Sequence, residues 1–170
     1  MTRQLLYIYF LIAISVNCIA QNCSCISGTK KKKDSTKTWG GITSSKDFYS
    51  LLINRVVNYE DTTIASKYYL SLSAASRVLL SDSITKSKGS FELLLADSSK
   101  VTFEGAECLN NPAGFAGAIG FQILLTEEQI KIISTNPIVT LTAFGILRTS
   151  FDPQKQNEQK RIVTCLLKAK

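Results

Sequence analysis

The chain has 170 residues, 45% of them hydrophobic, a formal net charge of +7 and no histidine. That length holds one domain with a sizeable core plus a short extra segment. The missing histidine excludes Ser–His–Asp and Cys–His catalysis, the commonest general base near neutral pH, and most transition-metal sites.

Residues 1–20, MTRQLLYIYFLIAISVNCIA, have the layout of an export signal. Arg3 supplies the positive start, Leu5 to Val16 the apolar stretch, and Cys18 and Ala20 the small residues before a cut ahead of Gln21. As a helix the apolar stretch reaches roughly 18 Å, short of a hydrocarbon core of about 30 Å. The mature chain is therefore expected to carry no transmembrane span and to be secreted or periplasmic. An alternative cut makes Cys18 a lipidated cysteine that anchors the protein in the envelope, although Asn17 stands where a small residue is usual.

Residues 21–46 read as a polar, basic linker, with a loose first strand as the other option. Lys30 to Lys33 form an unbroken run, and with these and Arg3 set aside the remainder is close to neutral. A face able to neutralise many phosphates is not visible, so no nucleic-acid partner is expected. Asn22-Cys23-Ser24 matches a glycosylation sequon, which matters only in a eukaryotic secretory pathway.

Residues 47–170 are expected to form a single α+β domain. DFYSLLINRVVNYE (47–60) fits a helical stripe through Phe48, Leu51, Leu52, Val56 and Tyr59, but is read as a strand with Leu51, Ile53, Val57 and Tyr59 on one face. The turn at Glu60–Thr63 leads into Tyr68–Ala74, whose alternation is clean, and the two make a hairpin. Ser81 to Gly89 is a loop. Phe91, Leu93 and Leu95, the turn Asp97–Lys100, and Val101–Phe103 make a second hairpin. Glu104 to Gly114 reads as a connection punctuated by Gly, Asn and Pro.

Residues 116–147 read as strand, capped helix, strand. Ile119, Phe121 and Ile123 share a face. Thr126-Glu127-Glu128-Gln129 is a capping box, with Leu125 and Ile130 spaced as a hydrophobic staple. Glu127 and Glu128 suit the positive end of the helix dipole, and Pro137 stops the helix near Ser134 or Thr135. Ile138 onward is extended and rich in β-branched residues. Asp152 is a helix N-cap and Pro153 suits the first helical position. Ile162, Cys165, Leu166 and Ala169 recur at helical spacing, while the first half of this helix is polar all round and is expected to project into water. The sum is a mainly antiparallel sheet of about six strands, with a short helix (about 126–135) and a C-terminal helix (about 153–168) packed on it.

Few groups point to chemistry. Five cysteines occur, four after the expected cut. A Cys108–Cys165 bridge would close a loop of about 57 residues and add on the order of 4 kcal/mol; two separate buried thiols fit the sequence equally. Cys23 and Cys25 sit on the polar segment as an unassigned pair. Ser83-Ile84-Thr85-Lys86 and Ser27-Gly28-Thr29-Lys30 match S-x-x-K, which needs a helix to place both side chains on one face. Glu60 with Asp61, and Glu104 with Glu107, are the carboxylate pairs that could serve calcium or a glycosidic bond. The glycines at 114, 117 and 120 precede a strand instead of opening a helix, which argues for close packing over phosphate binding. No catalytic, cofactor-binding or metal-binding residue is assigned, and no cofactor is expected.

The export signal, the strand ending in YYLSLSA, the hairpin FELLLADSSKVTFEG, the unit GAIGFQILLTEEQIKIISTNPIVTLTAFG and a cysteine near a helical C-terminus together resemble small exported proteins of Gram-negative, Bacteroidetes-type bacteria. The likeness covers about residues 50–168 and implies no activity. The expectation is an exported, non-catalytic domain that binds a protein or glycan or has a structural role. The alternative is a small hydrolase using Ser83 and Lys86 or paired carboxylates.

Overall fold

The structure, a computed structural model, describes residues 23–47, 49–75, 88–110 and 118–169. The expected leader with Cys18, Phe48 of the considered helical stripe, Ser83 with Lys86, and Gly114 with Gly117 lie outside the described residues, as does the side chain of Ile119.

The strands are β1 (Ser27–Lys31), β2 (Thr36–Ser44), β3 (Ser50–Asn58), β4 (Lys67–Ala75), β5 (Lys88–Leu95), β6 (Lys100–Asn110), β7 (Ala118–Leu125), β8 (Ile138–Ala143) and β9 (Leu147–Ser150). Two helices follow β7 and β9: α1 (Glu127–Thr135) and α2 (Pro153–Lys168). The strands form one nine-stranded sheet in the order β1-β2-β3-β4-β7-β6-β5-β8-β9, and every neighbouring pair is antiparallel. The fold is α+β, as the alternation and the capped helices imply, but the sheet is wider than the expected six strands.

The three further strands are β1, β2 and β9, the last split from the extended run after Ile138 by the turn at Phe144 and Gly145. Residues 21–46 are not a linker, because β1 and β2 occupy most of that segment. Trp39 and Gly41 of β2 lie opposite Arg55 and Ile53 of β3. Strand β1 is fully exposed, so nothing selects apolar residues there, and lysines on an edge strand discourage pairing with another chain. Likewise Glu104–Asn110 is not a connection but the second half of β6. Gly105, at φ +87°, serves a bulge where the β5 register shifts between Gly89 and Ser90.

The strands read as hairpins behave as expected. Leu51 and Ile53 of β3 face Leu72 and Leu70 of β4, and all four are fully buried. Phe91, Leu93 and Phe103 of the second hairpin are buried too. Phe121 and Ile123 extend this inner face across β7, while Leu124 points outward at 55% exposure.

Both helices cover the inner face, where Ile130 and Ile133 of α1 and Ile162, Val163 and Leu166 of α2 complete the core. Each such side chain contributes roughly 1.5–3 kcal/mol by leaving water. Helix α2 packs against β2, β3 and β8, strands from opposite halves of the sheet, so the sheet curls around it. The segment after β2 then reaches the far edge: Lys46 N–H donates to the Ser150 carbonyl at 3.3 Å, and the Thr149 hydroxyl donates to Asp47 at 3.0 Å.

Helix α1 carries the capping box on Thr126 and Gln129. Gln129 N–H donates to Thr126 Oγ1 at 3.2 Å, and Thr126 N–H donates to Gln129 Oε1 at 2.9 Å. Helix α2 starts at Asp152 and Pro153, with Lys155 N–H donating to Asp152 at 2.9 Å. Its polar first half does not simply project into water. Gln159 is completely buried. Its side chain accepts from Ile138 N–H at 2.8 Å and donates to the Ile138 carbonyl at 3.3 Å. The β5–β8 register shifts at Leu94/Leu95, so the first residue of β8 needs partners from elsewhere.

Between β8 and β9 the chain turns at Phe144 (φ 55°) and Gly145 (φ 67°), with Ile146 N–H donating to the Ala143 carbonyl at 3.1 Å. Positive φ at Phe144 and Gly145 matches the strand twist, and Ile146 completes a three-residue connection, since Ala143 pairs with Leu147. Phe144 tolerates it because its ring is held: it stacks on Phe121 with centroids 4.8 Å apart and lies over Gly89, where any Cβ would come within 2.5 Å of the ring.

Candidate functional site

Three features stand out from the scaffold: a cysteine cluster, an arginine clamp, and a polar ladder on the outer face.

The cysteine cluster joins the start of the fold to its end. Cys165, on the buried face of α2, is bonded to Cys23, with Cα atoms 5.6 Å apart, a separation normal for a disulfide. Cys165 pairs with a cysteine of the segment read as a linker, so the Cys108–Cys165 bridge, weighed equally with two separate thiols, does not form. Cys108 is a free, half-buried thiol on β6, beside Phe121 of β7, and burial pushes its pKa up. The turn that closes with Ile26 N–H donating to the Cys23 carbonyl at 3.2 Å brings Cys25 to the same place. The Cys25 thiol is directed at Cys165 Sγ, 3.9 Å away. Gly41 makes room for this segment, since a Cβ there would lie 2.8 Å from the Cys25 carbonyl and 2.7 Å from Ile162.

Arg55 clamps the other side of the same helix end. On β3 it follows Leu51 and Ile53 on the inner face, and its guanidinium donates to the carbonyls of Leu166 at 2.9 Å and Ala169 at 2.6 Å. Ser66 accepts its remaining bonds at 3.1 and 3.0 Å. A cation here satisfies carbonyls that have no partner within the helix and meets the negative end of its dipole. Sequence reading passed over Arg55; the available signal was a charged residue in phase with the apolar face of a strand.

The ladder lies on the opposite, outer face. Strand register sets Thr102, Glu92, Thr142 and Arg148 side by side across β6, β5, β8 and β9. The adjacent rung is Lys100, Leu94, Thr140 and Ser150, with the Thr140 and Ser150 hydroxyls 3.4 Å apart. All of these residues but Ser150 border an open groove of about 270 Å³. A second open groove, about 300 Å³, runs between the Ser24–Ser27 segment and β2, with Asn54 and Leu52 of β3 at its side. Each is no larger than the smallest of ordinary small-molecule pockets, roughly 300 Å³. Among the described residues no group of three or more side chains is placed to hold a metal ion.

The other groups singled out in the sequence are placed apart. Ser27 and Lys30 lie on β1, where an odd spacing sends their side chains to opposite faces; the Lys30 ammonium sits 3.9 Å from the Tyr59 ring centroid. Glu60 accepts from the Ser35 hydroxyl. Asp61 accepts from the hydroxyl and amide of Thr63 at 2.6 and 2.9 Å, which holds its carboxyl below the usual range. Asp61 is thus engaged by its own turn, and Glu60 by the distant turn between β1 and β2. Glu107 lies 3.8 Å from the Lys88 ammonium and is separated from Glu104 by the Gly105 bulge. Gly120 is buried within β7. No helix among the described residues is long and apolar enough to cross a membrane. Neither a protein-family model, nor a curated protein, nor a solved structure matches this chain.

Proposed function

We propose that the protein is an exported, non-catalytic domain that acts by binding, or as a structural part, in the envelope of a Gram-negative bacterium or outside the cell. The observation that carries this reading is the Cys23–Cys165 disulfide. Such bridges persist in oxidising compartments and are rare in the cytosol, and residues 1–20 have the pattern that takes a chain there. The resemblance to small exported proteins of Bacteroidetes-type bacteria points the same way.

The outer ladder is the surface we assign to the partner. Its threonine hydroxyls, one carboxylate and two cations are spread over four strands in an open groove. That arrangement suits an extended polar partner, a glycan chain or a protein surface, better than an enclosed small molecule.

The test is expression of the full chain with its own leader in a Gram-negative host, followed by fractionation and mass spectrometry. The expected result is exported protein that begins at Gln21 and has Cys165 oxidised. An acylated Cys18 would replace free secretion by anchoring. Full-length protein in the cytosol with Cys165 reduced would end the export reading, and turnover of a substrate lost on one point substitution would end the non-catalytic one.

A further inference from the structure

The third sulfur of the cysteine cluster has no role in the staple itself. Cys25 is a free thiol, and it is directed at the bonded Cys165 Sγ from 3.9 Å. A disulfide breaks when a thiolate attacks one of its sulfurs, and an S–S bond of about 2.05 Å would need the two sulfurs to close by about 2 Å. Cys25 and Cys23 belong to the same turn, just ahead of β1, and both sulfurs lie beside Cys165 Sγ. The loops they would close span 142 and 140 residues, a difference that leaves loop-closure entropy unchanged.

From this geometry we propose that Cys25 is the exchange partner of the bridge, and that the oxidised protein interconverts between a Cys23–Cys165 and a Cys25–Cys165 isomer. The Cys25 thiol gives its proton to solvent and attacks Cys165 Sγ. The Cys25–Cys165 bond forms, the Cys23–Cys165 bond breaks, and Cys23 leaves as a thiolate that takes up a proton. Nothing is oxidised or reduced overall, so no further reagent is required. The exchange moves the anchor of the N-terminal segment by two residues. It also releases the half-exposed Cys23 as a free thiol, which makes Cys23 a switchable site for mixed-disulfide modification. The inference depends on the bridge and not on the binding role, so each can fail alone.

The experiment uses oxidised full chain held at neutral pH, quenched with acid, alkylated and digested for non-reducing peptide mapping, with C23S and C25S in parallel. The expected result is wild-type protein carrying the alkyl label on Cys25 in one population and on Cys23 in another, the minor form at no less than about one-tenth of the major. C25S should give Cys23–Cys165 alone, and C23S should give Cys25–Cys165. Wild-type protein labelled at Cys25 but never at Cys23 would overturn the proposal, whether or not C23S folds. So would folded C23S whose Cys165 stays reduced in glutathione disulfide.

Discussion

The two helices share the inner face of the sheet yet are held in place by different means. Helix α1 is specified by its neighbours in the chain: Thr126 and Gln129 cap it, Leu125 and Ile130 on either side of the cap are both buried, and Asn136-Pro137 follows its end. Helix α2 also has a local start, at Asp152 and Pro153. Its position, however, is fixed by residues far away: Cys23 by a covalent bond, Arg55 at its last carbonyls, Ile138 against Gln159, and Thr43, whose hydroxyl donates to Glu158 at 2.9 Å. Local signals are visible in a sequence, whereas anchors distant along the chain are not. The central helix of this fold is therefore the one whose surroundings had to be seen.

Substitutions that remove a distant anchor of α2 should therefore cost more than removal of the cap of α1. The largest effect is expected for C165S, which abolishes every bridge to the helix and should lower unfolding free energy by about 5 kcal/mol. Denaturant titration measures it, and a loss below about 1 kcal/mol would mean that the N-terminal strands hold themselves in place. R55M comes next. It leaves two helix carbonyls without a charged donor and should cost about 2–3 kcal/mol, with faster amide exchange concentrated in the last turn of α2. Unchanged exchange there would show that the clamp adds nothing. Q159L should cost about 2 kcal/mol by stranding the buried amide and carbonyl of Ile138. Its specific readout is loss of exchange protection at the Ile138 amide, and a protected amide would refute the assigned partner. The smallest effect is expected for T126A, about 1 kcal/mol from the lost cap. If T126A proved as damaging as R55M, the contrast between the helices would disappear.

What the sequence made legible follows the same division. The hairpins β3–β4 and β5–β6, the box of α1 and the ends of α2 rest on spacing and turn chemistry within a few residues. Strands β1 and β2 were hidden by composition: TKTWGGITS has two adjacent glycines and few apolar residues, and the edge strand beside it is rich in lysine. The end of β6 was masked by Gly105, because a bulge and a connection both call for glycine. The polar start of α2 looked solvated because nothing near it in the chain shows that Gln159 meets a strand with a shifted register. Cysteine pairing depends on a distance between chain ends that only the curl of the sheet creates. The outer ladder was unreadable for a related reason: its members come from four strands, and only register brings them into line.

The bond from Cys23 to Cys165 also governs how the molecule would bear load. Cys23 lies ahead of β1 and Cys165 in the last turn of α2. Tension applied between the two termini would pass through this covalent link and leave the strands between them slack. A domain held ahead of Cys23 and pulled beyond Cys165 would load this bond before any strand parted.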